Sequence, residues 1–206
     1  MSKQDNVVIV GAARTPMGGF NGSLSSVSAT DLGAIAIKEA VSRAGINAAD
    51  IEEVIMGNVL PAGLKQGPAR QAMRKAGLAD ATGATTINKL CGSGMKATMF
   101  AHDAIKAGSV NIAVSGGMES MSNAPYILEG VRTGLRMGAG PAPQDHMFLD
   151  GLMDAETGRL MGSFAQDVAT QKGYTREEMD DYAIMSLTRA KAAIEAGLNN
   201  AEIVPV

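Results

Sequence analysis

One residue in this 206-residue chain stands out as a carrier of chemistry: Cys91, the only cysteine. It lies within Thr85-Thr86-Ile87-Asn88-Lys89-Leu90-Cys91-Gly92-Ser93-Gly94-Met95-Lys96. A short β-branched, apolar run precedes the thiol. Two glycines flanking a serine follow it, and then a helical pattern begins. That order predicts a strand-to-helix elbow at which a nucleophile is exposed. Amides in the first turn of a helix carry partial positive charge, which favours thiolate over thiol. The glycines allow a sharp turn and the close approach of a substrate. A lone cysteine also serves commonly as a small buried hydrophobe, but packing alone does not require an elbow of small, permissive residues.

A thiol nucleophile wants a base, and the chain has two histidines. His102 lies eleven residues beyond Cys91, about 16 Å along a continuous helix, too far for a hydrogen bond to the thiol. It reads as structural or solvent-facing. His146 sits in a long loop, and nothing in its sequence neighbourhood singles it out. One cysteine and two distant histidines have no metal-ligand spacing, so no metal is expected. Glu119, just past a strand end, is either a general base or a brace for the loop around it. Lys89 and Arg14 could attract phosphates, but a solvated or interface role suits them better. The residues alone yield a candidate nucleophile without an identifiable partner.

The elements that must hold Cys91 follow from hydrophobic patterning. Asn6-Val7-Val8-Ile9-Val10-Gly11 predicts a strand buried on both faces. The Gly/Ser-rich stretch after Pro16 has neither GxGxxG behind the strand nor GxxxxGK[ST], so it reads as a surface loop rather than a phosphate cradle. Thr30 reads as the N-cap of a helix with Leu32, Ile35, Ala36, Ala40 and Val41 on one face, stopped by Gly45. Val54-Ile55-Met56-Gly57-Asn58-Val59-Leu60 is the next strand. Pro68 opens a second helix closed by Gly77. Residues 84–90 form the third strand, which delivers Cys91. A third helix carries Met95, Met99 and Ile105 on roughly one face and ends at Gly108. Val110-Asn111-Ile112-Ala113-Val114-Ser115 is the fourth strand. The alternation predicts an α/β fold with a largely parallel sheet and helices on both faces.

After Gly117 a long segment rich in Gly, Pro and Met runs to about Arg159; loops of this length are functional or belong to an inserted subdomain. Helices resume from Met161 to Lys172. Thr175-Arg176-Glu177-Glu178 is a capping box for a helix ending near Gly197. Residues 201–206 read as the beginning of a further strand. Hydrophobic residues make up 46% of the chain, aromatics only 3%, and there are 14 methionines and no tryptophan. The core must therefore be aliphatic, with Met filling irregular gaps. A net charge of -3 argues against a nucleic-acid partner. No apolar run approaches the ~20 residues of a membrane span, so no membrane partner is expected. A single cysteine and no visible signal peptide point to the reducing cytoplasm.

Four stretches, in this order and spacing, resemble the N-terminal half of the thiolase family. They are Val8-Ile9-Val10-Gly11-Ala12-Ala13-Arg14-Thr15-Pro16, Glu53-Val54-Ile55-Met56-Gly57-Asn58-Val59-Leu60, Asn88-Lys89-Leu90-Cys91-Gly92-Ser93-Gly94-Met95-Lys96, and Gly116-Gly117-Met118-Glu119-Ser120-Met121-Ser122. The resemblance implies a layered βαβαβαβ N-terminal domain over residues 1–120 and part of a helical loop subdomain over 121–206. It implies that the last strand of the sheet follows the loop subdomain and is not contained in the chain, leaving sheet edge and apolar surface exposed.

The activity implied is Claisen condensation of two acetyl-CoA molecules to acetoacetyl-CoA, and the reverse thiolysis. Cys91 matches the nucleophile that carries the acyl group, and its amide helps to bind the thioester oxygen. Asn88, Gly92, Met118 and Glu119 match the active-site support, with Glu119 as a brace because the family draws its acid/base groups from elsewhere. Leu152, Leu160 and Met161 match positions that contact coenzyme A. Many acetoacetyl-CoA-forming relatives carry His where Leu160 stands. No cofactor is implied, since coenzyme A thioesters are substrates; the full-length form is expected to be a homodimer or homotetramer. The His that activates the nucleophile, a second Cys and an Asn-bound water belong to a C-terminal half. A non-catalytic thiolase remnant that keeps only CoA binding or dimerisation is the alternative. A ketoacyl synthase shares the fold and a Cys elbow, but the Gly-Gly-Met-Glu-Ser-Met-Ser stretch argues for thiolase.

Overall fold

A computed structural model describes residues 7–206. Three parallel strands, β1 (Glu53–Gly57), β2 (Gly83–Ile87) and β3 (Ala113–Gly117), form a sheet in the order β2-β1-β3. The register pairs Ile55 with Thr85 on one side and with Ser115 on the other. Parallel neighbours need crossover connections, and these are helices: α2 (Pro68–Lys75) leads from β1 to β2, and α3 (Ser93–Lys106) from β2 to β3. Helix α1 (Ala29–Ala44) precedes β1.

Alternation along β1 sends its side chains to two separate cores. Val54 and Met56 join Ile37 and Val41 of α1 and Ala69, Ala72 and Met73 of α2 on one face. Ile55 meets Ala97 and Ala101 of α3 on the other. Helices therefore cover both faces, as patterning predicts. Among the described residues no aromatic hydrophobe is buried; methionines fill that role, with Met56 and Met73 wholly buried.

Four expectations need correction. Residues 7–11 form no ladder, and Val8, Ile9 and Val10 are 68%, 81% and 58% exposed; Asn6, the first residue of that predicted strand, lies outside the described residues. An extended apolar run becomes a strand only if a neighbour accepts its hydrogen bonds. Here a groove of about 530 Å³ separates residues 7–13 from residues 112–117 of the β3 region, with α1 and α3 contributing to its walls. Secondly, α1 is capped by Ser28, whose Oγ accepts from the Asp31 amide. Thr30 is instead buried and accepts from Lys75 Nζ at 2.8 Å. Thirdly, α3 buries Ser93, Ala97 and Ala101, while Met95 and Met99 stand 69% and 48% exposed. The helix lies so close to the sheet that only small side chains fit beneath it. Finally, residues 201–206 form no strand. Ile203 makes a lone parallel bridge to Arg14, reinforced by Arg43 donating to the Ala12 and Ala201 carbonyls.

Beyond β3 the chain is less regular. A two-stranded antiparallel pair, β4 (Tyr126–Ile127) with β5 (Gln144–Asp145), leads into a π-helical turn, Met147–Leu152. Helices α4 (Met161–Lys172) and α5 (Arg176–Glu195) follow. The α5 capping box is present in full, Thr175 Oγ1 accepting from the Glu178 amide and Glu178 accepting from the Thr175 amide. No described helix is long and apolar enough to cross a membrane.

Candidate active site

The strand-to-helix elbow is real, and its hydrogen bonds explain its shape. Strand β2 ends at Ile87, and Asn88 turns the chain by accepting the Leu90 amide on its side-chain oxygen at 2.8 Å. Leu90 takes φ +49°, a left-handed conformation that costs a bulky residue about 1–2 kcal/mol. Ser93 holds it there. Its Oγ accepts from the Lys89 amide at 2.8 Å and donates to the Leu90 carbonyl at 2.6 Å. The Gly92 amide donates to the Lys89 carbonyl. Ser93 is buried, so this clamp is sheltered from water, which would otherwise compete for its hydrogen bonds.

The elbow also rests directly on the sheet. A Cβ on Gly57 would stand 2.5 Å from the Ser93 Cβ, and one on Gly117 would stand 3.5 Å from the Gly94 Cα. Glycine at position 57 lets the start of α3 approach the end of β1, while the contact at Gly117 is an ordinary one that a Cβ would also allow. Cys91 is thereby exposed at the strand ends, where ligands bind in open parallel α/β sheets.

The thiol opens onto an apolar cleft of about 440 Å³, within the range of small-molecule sites. The cleft is lined by Leu90, Cys91 and Gly94 of the elbow, Val59 and Leu60 of the loop after β1, Gly117, Met118, Glu119 and Met121 at and after the end of β3, and Met147, Gly151 and Leu152 of the π-helical turn. Glu119 organises the loop after β1. Oε1 accepts from Asn58 Nδ2 at 2.7 Å and the Leu60 amide at 3.1 Å, and Oε2 from the Val59 amide at 2.7 Å. Burial pushes its carboxyl above the usual range, opposed chiefly by the hydrogen bonds from the Val59 and Leu60 amides. Asn58, itself buried, also donates to the Met118 carbonyl. Its Oδ1 is the one buried side-chain polar atom without a partner among the described residues.

Cys91, Met118, Glu119 and Leu152 thus converge on one cleft. Asn88 and Gly92 stand behind it in the elbow. Leu160 and Met161 do not line it: Leu160 caps α4 and bridges to Met153, and the two are 38% and 47% exposed. His102 lies on the outer part of α3 beside Asp103, away from the cleft lining. Arg14 is paired with Glu202 at 2.9 Å, and Lys89 contributes its backbone to the Ser93 clamp. No hydrogen bond to the Cys91 thiol is present among the described residues, and no group of His, Cys, Asp and Glu there could hold a metal ion. Leu90 and Ser93 are site residues that patterning misses. The Ser between two glycines was the available signal for the clamp; nothing in the sequence marks a leucine for a left-handed conformation.

The family model for the thiolase N-terminal domain matches residues 7–206. An acetyl-CoA acetyltransferase of Escherichia coli is 53% identical over 202 residues, covering 98% of this chain and 51% of the relative. One of the same name from Cupriavidus necator is 51% identical over 201 residues, with the same two coverages. Among solved structures, the Acat5 thiolase of Ascaris suum in complex with coenzyme A superposes with a TM-score of 0.91 at 41% identity, over 96% of this chain and 51% of that one. The chain spans about half the length of the curated relatives it matches, and it belongs to the thiolase family, as the N-terminal domain.

Proposed function

We propose that this chain is the nucleophile-bearing half of an acetyl-CoA C-acetyltransferase. The observation that carries the reading is the exposed Cys91 on a clamped elbow, facing an apolar cleft at the strand ends. The reaction is two-step acyl transfer. The Cys91 thiolate attacks the carbonyl carbon of acetyl-CoA, and an S–C bond forms. The coenzyme A thiolate leaves and takes up a proton. A second acetyl-CoA, deprotonated at the carbon next to its carbonyl, then attacks the acyl-enzyme. A C–C bond forms, Cys91 leaves as thiolate and acetoacetyl-CoA is released. Thiolysis runs the same steps backwards.

The cleft supplies an apolar setting in which an oxyanion gains most from backbone donors, and Leu152 and Met147 offer apolar surface to the pantetheine arm. In this reading coenzyme A thioesters are substrates and no cofactor or metal takes part. The compartment is the cytoplasm, in keeping with the lone free thiol. β2 has a single neighbour, β1, among the described strands, which leaves its outer edge for a second copy in a homodimer or homotetramer.

The proton acceptor for Cys91 is assigned to a C-terminal half. Among the described residues both ring nitrogens of His146 are engaged, and Glu119 spends both oxygens on the 58–60 loop. The same observation favours the second reading, a non-catalytic remnant. Incubation with acetyl-CoA followed by peptide mass spectrometry tests the proposal. The expected result is slow acetylation at Cys91, absent from Cys91→Ala and accelerated by a C-terminal half added in trans. Acetylation of lysines alone, even with that half present, would overturn the catalytic reading. Rapid thiolysis of acetoacetyl-CoA by the chain alone would instead overturn the need for a second half.

A further inference from the structure

His146 is buried, with 4% of its surface exposed, yet no step of the acyl transfer uses it. Its surroundings give it a different task. The Nδ1 lies 2.6 Å from Asp150 Oδ2, one turn along the same segment. On the opposite edge of the ring, Nε2 accepts from the Ala62 amide at 3.4 Å. A ring that donates at Nδ1 and accepts at Nε2 is neutral imidazole in a single tautomer. Its own backbone amide donates to the Pro125 carbonyl. The side chain thus ties the π-helical turn Met147–Leu152 to the loop after β1. That loop carries Val59 and Leu60; the turn carries Met147, Gly151 and Leu152, and all five line the Cys91 cleft. Where the two meet, packing is close: a Cβ on Gly151 would stand 3.3 Å from Leu60 Cδ2.

We propose that His146 is a positioning residue, whose neutral imidazole latches the Met147–Leu152 turn onto the Ala62 loop and so places the part of the Cys91 cleft that the turn lines. Protonation puts a second donor at Nε2, facing the Ala62 N–H, and that strand of the latch opens. The charged groups facing the ring are Asp150 on its own turn and Glu119 from the segment after β3. The loop residues 58–62 contribute no titratable side chain. That the cleft takes a thioester rests on the proposed function; the placing of the turn does not.

The test uses the whole chain, without substrate, so its outcome is separate from that of the acetylation experiment. NMR would follow the Ala62 amide and the Met147 methyl group across about pH 5 to 8, the interval in which an unperturbed imidazole changes charge. In the wild type the two should move together on acidification, with Ala62 amide exchange corrected for pH rising about fivefold, the fold-change of one ordinary hydrogen bond. The exposed methyls of Met17 and Met137 should stay fixed. His146→Ala should show the acidified positions throughout. His146→Gln, whose carbonyl oxygen reaches the Ala62 amide, should restore the high-pH positions and abolish the pH response. A response that persists in His146→Gln would belong to Glu119 or Asp150 and would overturn the proposal. So would a wild type in which neither probe moves, or a Gln variant that behaves like Ala. If His146→Ala does not fold, the wild-type titration and the Gln variant still decide.

Discussion

Helices α1 and α5 obey the same local rules and end in different circumstances. Each has a hydroxyl N-cap, an acidic first turn and a left-handed glycine at or just beyond its C-cap. Over 16 residues α1 buries six; over 20 residues α5 buries none. Capping and propensity define where a helix starts and stops, whereas its contribution to the fold depends on what covers its apolar side chains. The molecule divides along this line. Residues 29–118 hold two cores and position Cys91. The α4 and α5 region is attached by few contacts and shows apolar groups to solvent, among them Ile184, Leu187, Ile194 and Leu198.

The sharpest way to break the comparison is to truncate one apolar side chain on each side of it. Met73→Ala, at a fully buried position, should cost about 2–5 kcal/mol in urea denaturation. Leu187→Ala, 72% exposed, should change the same midpoint by no more than about 0.5 kcal/mol. Equal costs would mean that α5 is packed in solution. Gly57→Ala comes next, because the new methyl group would collide with Ser93. A loss of about 1–3 kcal/mol is expected, along with loss of Cys91 acetylation; an unchanged stability curve would contradict the close seating of the elbow on β1.

Cap removal sharpens the contrast at smaller scale. Thr175→Ala should cost the first turn of α5 about 1 kcal/mol. Because α5 buries nothing, the loss should appear as fraying in helicity or amide exchange and not in the denaturation midpoint of the core. The smallest effect is acid-dependent. Asp31 is held below the usual carboxylate range by hydrogen bonds from Lys75 and Ser28, so it adds stability that is present above the ordinary carboxylate pKa and lost as pH falls through its folded value. Glu119 has the opposite sign: burial raises it, so its penalty is present at neutral pH and relieved on acidification. Asp31→Asn should therefore flatten the acid loss by less than about 1 kcal/mol, since the pair is largely solvated. Glu119→Gln should remove the opposing gain. Acid titrations of the unfolding midpoint for the two variants, diverging in opposite directions, are the check.

Patterning captured much of the scaffold, and its failures have physical causes. The helix starts at Pro68 and Met161 and the α5 capping box are local features, readable from neighbours in the chain. The burial of β1 between two helix layers follows from its uninterrupted apolar run. What could not be read is what depends on distance. Residues 7–11 have the composition of a strand, but a strand also requires a neighbour. Met95 and Met99 have helical spacing, yet the close seating of the elbow selects alanine for the inner face. In the site, Cys91 was legible because one thiol among small residues is a chemical anomaly. The Ser93 clamp and the strained Leu90 were not, since both arise from the turn itself. His146 was unreadable for a similar reason: its two partners are four residues and 84 residues away, and only folding brings them to opposite edges of one ring.

The aromatic-poor core has an optical consequence. With no tryptophan in the chain, intrinsic fluorescence falls to Tyr126, Tyr174 and Tyr182, which are 69%, 57% and 68% exposed. All three lie beyond β3, and the methionine-filled core contains no fluorophore. Tyrosine emission will therefore report the outlying segment, while far-ultraviolet dichroism reports the helices of both regions. Recorded together during unfolding, the two signals form a built-in pair of probes, and any separation between their transitions measures how far the sheet that carries Cys91 holds together after its periphery has come apart.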